Sequence, residues 1–167
     1  MEVAVVENKI SKNRLSWDEY FMGIALMSAK RSADPSTQVG CVIVRSDNRI
    51  VSLGYNGFPK GIEDGTFSWE SKGEWINTKY PYVIHAEINA ILNAKGCDLS
   101  GCRVYVTLAP CNECAKCMVQ AGITEVVYYD DKYPDQDIFK AAKIVMDKVG
   151  IKYRKFQPSG INIDIKL

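Results

Sequence analysis

VYVTLAPCNECAKCMVQAGITEVVYY, residues 104–129, reads as strand, helix and strand in succession. Val104–Leu108 and Glu125–Tyr129 are short runs rich in β-branched and aromatic residues, the composition of buried strands. Cys111–Ala121 between them is helical, with Pro110 at its mouth and Gly122 just past its end. Two strands joined by one helix are expected to lie parallel in a single sheet, with a right-handed crossover. Downstream, Asp137–Val149 reads as another helix, Gly150 closes it, and Lys152–Phe156 supplies another strand.

Upstream, His85–Lys95 (HAEINAILNAK) is a helix ended by Gly96. Val39–Val44 (VGCVIV) and Ile50–Gly54 (IVSLG) are strand-like, and the short polar link between them suits an antiparallel hairpin. Ser16-Trp17-Asp18-Glu19 has the form of a capping box. It opens a helix running to about Arg31, with Tyr20, Ile24 and Met27 at helical spacing and Asp34-Pro35 following. Lys60–Val83 is the least regular stretch, with three glycines, two tryptophans and Tyr80-Pro81-Tyr82. So much aromatic area implies a packed excursion, with a short helix expected around Ser68–Lys72. The order α-β-β-α-β-α-β-α-β predicts an α/β fold: one mixed sheet with helices on both faces. One domain is expected over residues 16–158, with an N-terminal arm (1–15) and a C-terminal tail (159–167).

The 167 residues suffice for one substantial core, and 47% hydrophobic with 25% charged residues is ordinary for a globular domain. Lys and Arg total 21 against 20 Asp and Glu, so no broad field for duplex nucleic acid is expected, although a local cluster could hold one phosphate. The start, MEVAVVENKISKNRLSWDEY, lacks the apolar core of a secretory signal and the long apolar run of a membrane span. A cytoplasmic location is therefore expected. The six cysteines include three crowded into residues 111–117, which favours metal or redox chemistry over a disulfide framework.

Two short motifs carry the chemistry: His85-Ala86-Glu87 and Pro110-Cys111-Asn112-Glu113-Cys114. Each alone is modest. Together they offer one imidazole and two thiolates, a ligand set suited to zinc, with a fourth corner open to water. Cys111 and Cys114 are three apart at a helix start, where both sulfurs can face one point and the positive helix end favours thiolates. Glu87, two residues from His85, should approach the same pocket from another side, as a proton carrier and not a fourth ligand. Cys117 drifts around the helix away from that point and is read as a buried small hydrophobe. A closed structural zinc site, an iron–sulfur site and a redox dithiol are the alternatives. Cys41, Cys97 and Cys102 are read as core or turn residues.

The arrangement H-x-E…P-C-x-x-C is that of nucleobase deaminases. With Asp34–Val44 (DPSTQVGCVIV), Gly54–Pro59 (GYNGFP), Thr78–Leu92 (TKYPYVIHAEINAIL), Pro110–Lys116 and Val119–Tyr128, the chain resembles the deoxycytidylate deaminases of the zinc-dependent cytidine/deoxycytidylate deaminase superfamily. The resemblance runs from about Trp17 to Pro158. It implies a three-layer α/β/α fold on a five-stranded sheet, a homo-hexamer, and hydrolysis of dCMP to dUMP and ammonia, feeding thymidylate synthesis. By this resemblance His85, Cys111 and Cys114 hold one Zn2+ and Glu87 shuttles protons. It also implies activation by dCTP with Mg2+ and inhibition by dTTP, with Asn56, Gly57 and Asn89 as candidates for the effector site. Phage members carry a second zinc in the long insert, but residues 57–84 here contain no His or Cys, so one zinc per subunit is expected.

For the substrate, Asn56 is the candidate sugar contact, with an Asn-Gly turn as the plain alternative. Backbone groups at Ala86, Leu108 and Ala109 are candidate readers of the base edge. Lys30-Arg31-Ser32 could serve the phosphate, Arg31 foremost, or simply complement a helix C-terminus. Tyr133 could close over the nucleotide or anchor a loop. Trp69, Trp75 and Tyr80 are read as packing residues. A dCMP/dCTP bifunctional deaminase, a polynucleotide deaminase and a noncatalytic zinc module are the rival functions.

Overall fold

Ser16 caps the first helix as its sequence requires: its hydroxyl accepts the Glu19 amide, while the Glu19 carboxylate accepts the Ser16 amide at 2.8 Å. The helix, α1, spans Trp17–Ala29 and stops two residues before Arg31. The computed structural model describes residues 14–63 and 65–161. Most of the expected N-terminal arm (1–13) and of the tail (162–167) lies outside the described residues.

The remaining elements follow in order: β1 (Gly40–Val44), β2 (Ile50–Tyr55), a 3-10 turn (Trp75–Asn77), α2 (Ala86–Asn93), β3 (Arg103–Leu108), α3 (Asn112–Gln120), β4 (Glu125–Asp130), α4 (Asp137–Val149) and β5 (Lys152–Lys155). The sheet order is β2-β1-β3-β4-β5. β1 pairs antiparallel with β2 and β3, while β3, β4 and β5 run parallel. The expected hairpin and crossover units are therefore both present.

Alternation along the central strands divides the core into two layers. Cys41, Ile43, Val104, Val106 and Val126 pack with Ala86 and Ala90 of α2, Ala115 and Met118 of α3, and Ala142 and Met146 of α4. Val42, Val44, Tyr105 and Val127 pack on the opposite face with Phe21, Met22 and Ala25 of α1. Gly40 and Gly54 present no side chain where α1 and α2 cross the sheet, so these helices lie in backbone contact with β1 and β2.

The short helix expected around Ser68–Lys72 is absent; the helical turn sits at Trp75–Asn77. Trp69 instead stacks on Phe58 at 4.1 Å, within an aromatic group that includes Phe67 and Tyr82. The observed turn is closed by Asn77 Nδ2 donating to Glu74 and by the Thr78 hydroxyl donating to the Trp75 carbonyl. Trp75 and Tyr80, expected to pack, are 65% and 55% exposed. Among the described residues no helix is long and apolar enough to cross a membrane.

Candidate active site

Two helix mouths converge to make the site. His85 is the N-cap of α2 and Cys111 the N-cap of α3, both with extended backbone. Cys114 is the third residue of α3, so it returns to the face of the cap one turn earlier, as the sequence spacing predicts. His85 Nδ1 lies 3.3 Å from Cys114 Sγ and 3.4 Å from Cys111 Sγ. Among the described residues these three ligand atoms form one candidate metal group, all within 4.8 Å of one another. Tetrahedral zinc with bonds of about 2.3 Å to sulfur and about 2.0 Å to nitrogen has N···S edges of about 3.5 Å. The triangle therefore fits zinc in size as well as in donor chemistry.

One of the two sulfurs is already poised as a thiolate. The Cys111 thiol is held down to about 4, first by the hydrogen bond from Cys114 and then, against the cost of burial, by His85. Cys114 is pushed up because it keeps the proton its neighbour gives away, and burial adds to this. A divalent cation among the three atoms would favour thiolate at both sulfurs and displace the shared proton. Cys117 does not belong to the group, although it is half-exposed and not buried as expected. Cys41 and Cys102 are buried, and Cys97 is exposed in a turn.

Glu87, in the first turn of α2, is 4% exposed. Burial raises its carboxyl pKa, opposed mainly by the charge of His85; the Cys114 thiol also hydrogen-bonds it. A dry carboxyl beside the ligand triangle, with a raised pKa, is a stronger base than a solvated one and is equipped to take and pass on a proton.

The candidate nucleotide contacts divide. Ala86 is fully buried in the first turn of α2, where helix geometry leaves its amide without an intrahelical acceptor. Leu108 ends β3, and the Ala109 amide is already spent on the Asp130 carbonyl at 2.8 Å. Ala109 can therefore offer a base edge its carbonyl but not its N–H. Tyr133 packs with Phe139 in the apolar cluster containing Ala109, Cys111 and Cys114, which places it beside the triangle. Arg31 is exposed, with its guanidinium over the Tyr55 ring one residue from Asn56. Asn89 Nδ2 donates to the Tyr55 carbonyl, and Gly57 bridges to Ile84, so the three effector candidates gather at the end of β2.

Asn56 faces inward. Its Oδ1 accepts the Val39 amide at 2.8 Å, and its Nδ2 donates to the Thr37 carbonyl at 3.0 Å and toward Asp34 at 3.4 Å. This leaves one lone pair of Oδ1 and the weakly held Nδ2 hydrogen for any ligand. The network behind it was not anticipated from sequence. Asp34 accepts from Ser36, Thr37 and the buried Lys79 Nζ. Asp34-Pro35-Ser36-Thr37 does carry an Asx-turn signal, but nothing local marks Lys79 as its partner.

The chain matches the family model for the cytidine and deoxycytidylate deaminase zinc-binding region over residues 15–130. It is 52% identical over 145 residues to human deoxycytidylate deaminase, covering 86% of this chain and 82% of that protein. It is 50% identical over 165 residues to a probable deoxycytidylate deaminase of Drosophila melanogaster, covering 95% of this chain and 81% of that protein. The crystal structure of dCMP deaminase from the cyanophage S-TIM5 in complex with dCMP and dUMP superposes with a TM-score of 0.66 at 26% identity, covering 83% and 95% of the two chains. The motifs, the fold and the ligand triangle thus lead to one assignment: this chain belongs to the zinc-binding cytidine and deoxycytidylate deaminase family.

Proposed function

We propose that this protein hydrolyses dCMP to dUMP and ammonia. The observation that carries the reading is the buried Glu87 carboxylate standing beside the His85, Cys111 and Cys114 triangle. Relatives at about half identity that are named for this activity support the choice of substrate.

Zinc held by His85 Nδ1 and the sulfurs of Cys111 and Cys114 would supply Lewis-acid activation of water near neutral pH. The Glu87 carboxylate takes the proton that water gives up as its oxygen adds to C4, and delivers it to N3 of the pyrimidine. It then takes the remaining proton from the C4 hydroxyl and passes it to the amino group, so that the C4–N bond breaks, ammonia leaves and the C4 carbonyl forms. Burial suits Glu87 to this exchange, because taking the carboxylate out of water raises its pKa and makes it a better proton acceptor. In this reading the Ala86 amide and the carbonyls of Leu108 and Ala109 read the base edge. Asn56 takes the sugar, Arg31 the phosphate, and Tyr133 lies against the bound nucleotide.

The same reading extends to regulation and setting. dCTP with Mg2+ activates and dTTP inhibits, acting at the end of β2, where Asn89 meets Tyr55 and lies near Asn56 and Gly57. The enzyme works as a homo-hexamer and supplies dUMP for thymidylate synthesis, points that its resemblance to the deoxycytidylate deaminases supports; its proposed setting is the cytoplasm. Ammonia release from dCMP, dCTP, CMP, deoxycytidine and a single-stranded oligonucleotide, each with and without dCTP or dTTP, tests the reading. Turnover of dCMP, raised by dCTP and lowered by dTTP, is expected. Turnover of the oligonucleotide alone would overturn the substrate assignment.

A further inference from the structure

We propose that Lys79 is a positioning residue for the substrate, acting through Asp34 on Asn56. This rests on the reading of Asn56 as the sugar contact.

Lys79 belongs to the irregular stretch between β2 and α2, yet its side chain is 8% exposed and that of Asp34 2%. Its ammonium donates to Asp34 Oδ2 at 2.5 Å and to the Ser36 hydroxyl at 2.9 Å. Asp34 Oδ2 also faces Asn56 Nδ2, while Oδ1 accepts the amides of Ser36 and Thr37. Asn56 Oδ1 in turn holds the Val39 amide at the entrance to β1. A single chain of hydrogen bonds thus runs from Lys79 through Asp34 to Asn56.

The other end of Lys79 is equally fixed. Its amide donates to the Glu70 carbonyl, and its carbonyl accepts the amides of Tyr82 and Val83. That turn leads to Ile84, which bridges to Gly57 and immediately precedes His85. One residue therefore ties together the loop after α1, the end of β2 and the approach to the ligand triangle. Buried ion pairs contribute little net stability, because desolvating two charges offsets their attraction. What this pair does supply is an anion beneath Asn56 that works with the Val39 amide and the Thr37 carbonyl to set which way its amide points, and so which atom remains for the sugar.

Kinetics of the zinc-loaded protein test this, using Lys79→Met, Lys79→Arg and the paired change Asp34→Asn with Lys79→Met. The paired change leaves no buried unpaired charge and keeps the test open if Lys79→Met alone fails to fold. In the folded, zinc-loaded paired variant, KM for dCMP should rise about tenfold, the scale of one hydrogen bond, with kcat within about threefold of the unaltered protein. Lys79→Arg should recover part of the loss. In an Asn56→Ala background the paired change should add nothing to KM, an outcome a merely structural brace would not give. An unchanged KM, or a KM effect that persists in full without Asn56, overturns the proposal alone. Failure of the unaltered protein to turn over dCMP overturns the functional reading first, and the proposal with it.

Discussion

Gly54 of β2 lies so close to Ala86 of α2 that a Cβ at position 54 would stand 2.2 Å from the Ala86 carbonyl oxygen and 2.4 Å from the Ala90 amide nitrogen. Both contacts are to backbone, which cannot swing aside. The first turn of α2 carries Glu87 and is capped by His85, so this contact sets the depth of half the site. Gly54→Ala must push α2 off the sheet. We expect a loss of about 1–3 kcal/mol of stability, the usual scale of overpacking, together with faster zinc loss to a chelator. Thermal unfolding and metal analysis check this; wild-type values for both would show that the helix can shift freely.

Glu87→Gln keeps the size of the side chain and removes its ability to carry a proton. Deamination of dCMP should fall by about 10²–10⁴, the ordinary worth of a general acid–base group. Zinc content should stay at one per chain, because Glu87 stands outside the ligand triangle. Metal analysis beside single-turnover kinetics separates the two effects, and full turnover in this variant would exclude the mechanism.

Cys114→Ser removes one corner of the triangle. Zinc content should fall well below one per chain, and the stabilisation that zinc confers should fall with it. For a metal at a hundred times its dissociation constant that stabilisation is about 2.7 kcal/mol. Thermal unfolding with and without a chelator should therefore show a large difference in the unaltered protein and a small one in the variant. Cys117→Ser should leave zinc content unchanged, since Cys117 is no part of the group.

Asp34 gives the protein an acid-sensitive point. Burial opposes its charge, but the hydrogen bonds from Lys79, Ser36 and Thr37 together outweigh that cost, and its pKa is lowered below the ordinary carboxylate value. A group whose pKa is lower folded than unfolded contributes stability that is complete above the unfolded value and lost as pH falls through the folded one. The unaltered protein should accordingly lose stability below about pH 4. Asp34→Asn should be less stable at pH 7 and show a shallower decline on acidification. Denaturant unfolding from pH 7 to pH 3 measures both slopes, and parallel curves would remove Asp34 from the account.

Much of the molecule was legible because the signals are local. A capping box is written in four residues, and Ser16 with Glu19 formed it as expected. Cys111 and Cys114 share a face because three residues make nearly one turn. The helix start, Gly150 cap and following strand around α4 were readable for the same reason. Lys79 was not, since a lysine in an aperiodic stretch looks solvated unless its partner, 45 positions away, is known. The partner of the Ala109 amide was not legible for a similar reason: its acceptor, the Asp130 carbonyl, belongs to the neighbouring strand.

The chain alone determined the order of its elements, the kind of ligands it could offer a metal, and the presence of an acid near them, because periodicity, capping and side-chain chemistry are properties of neighbouring residues. Only the tertiary structure decided that the His85 ring meets sulfurs 26 and 29 positions away, that Glu87 is dry, and that Asn56 turns inward onto Asp34. Distance, burial and the choice among competing hydrogen-bond partners depend on what other segments bring to the same place, and that is fixed only when the sheet closes and the helices pack on it.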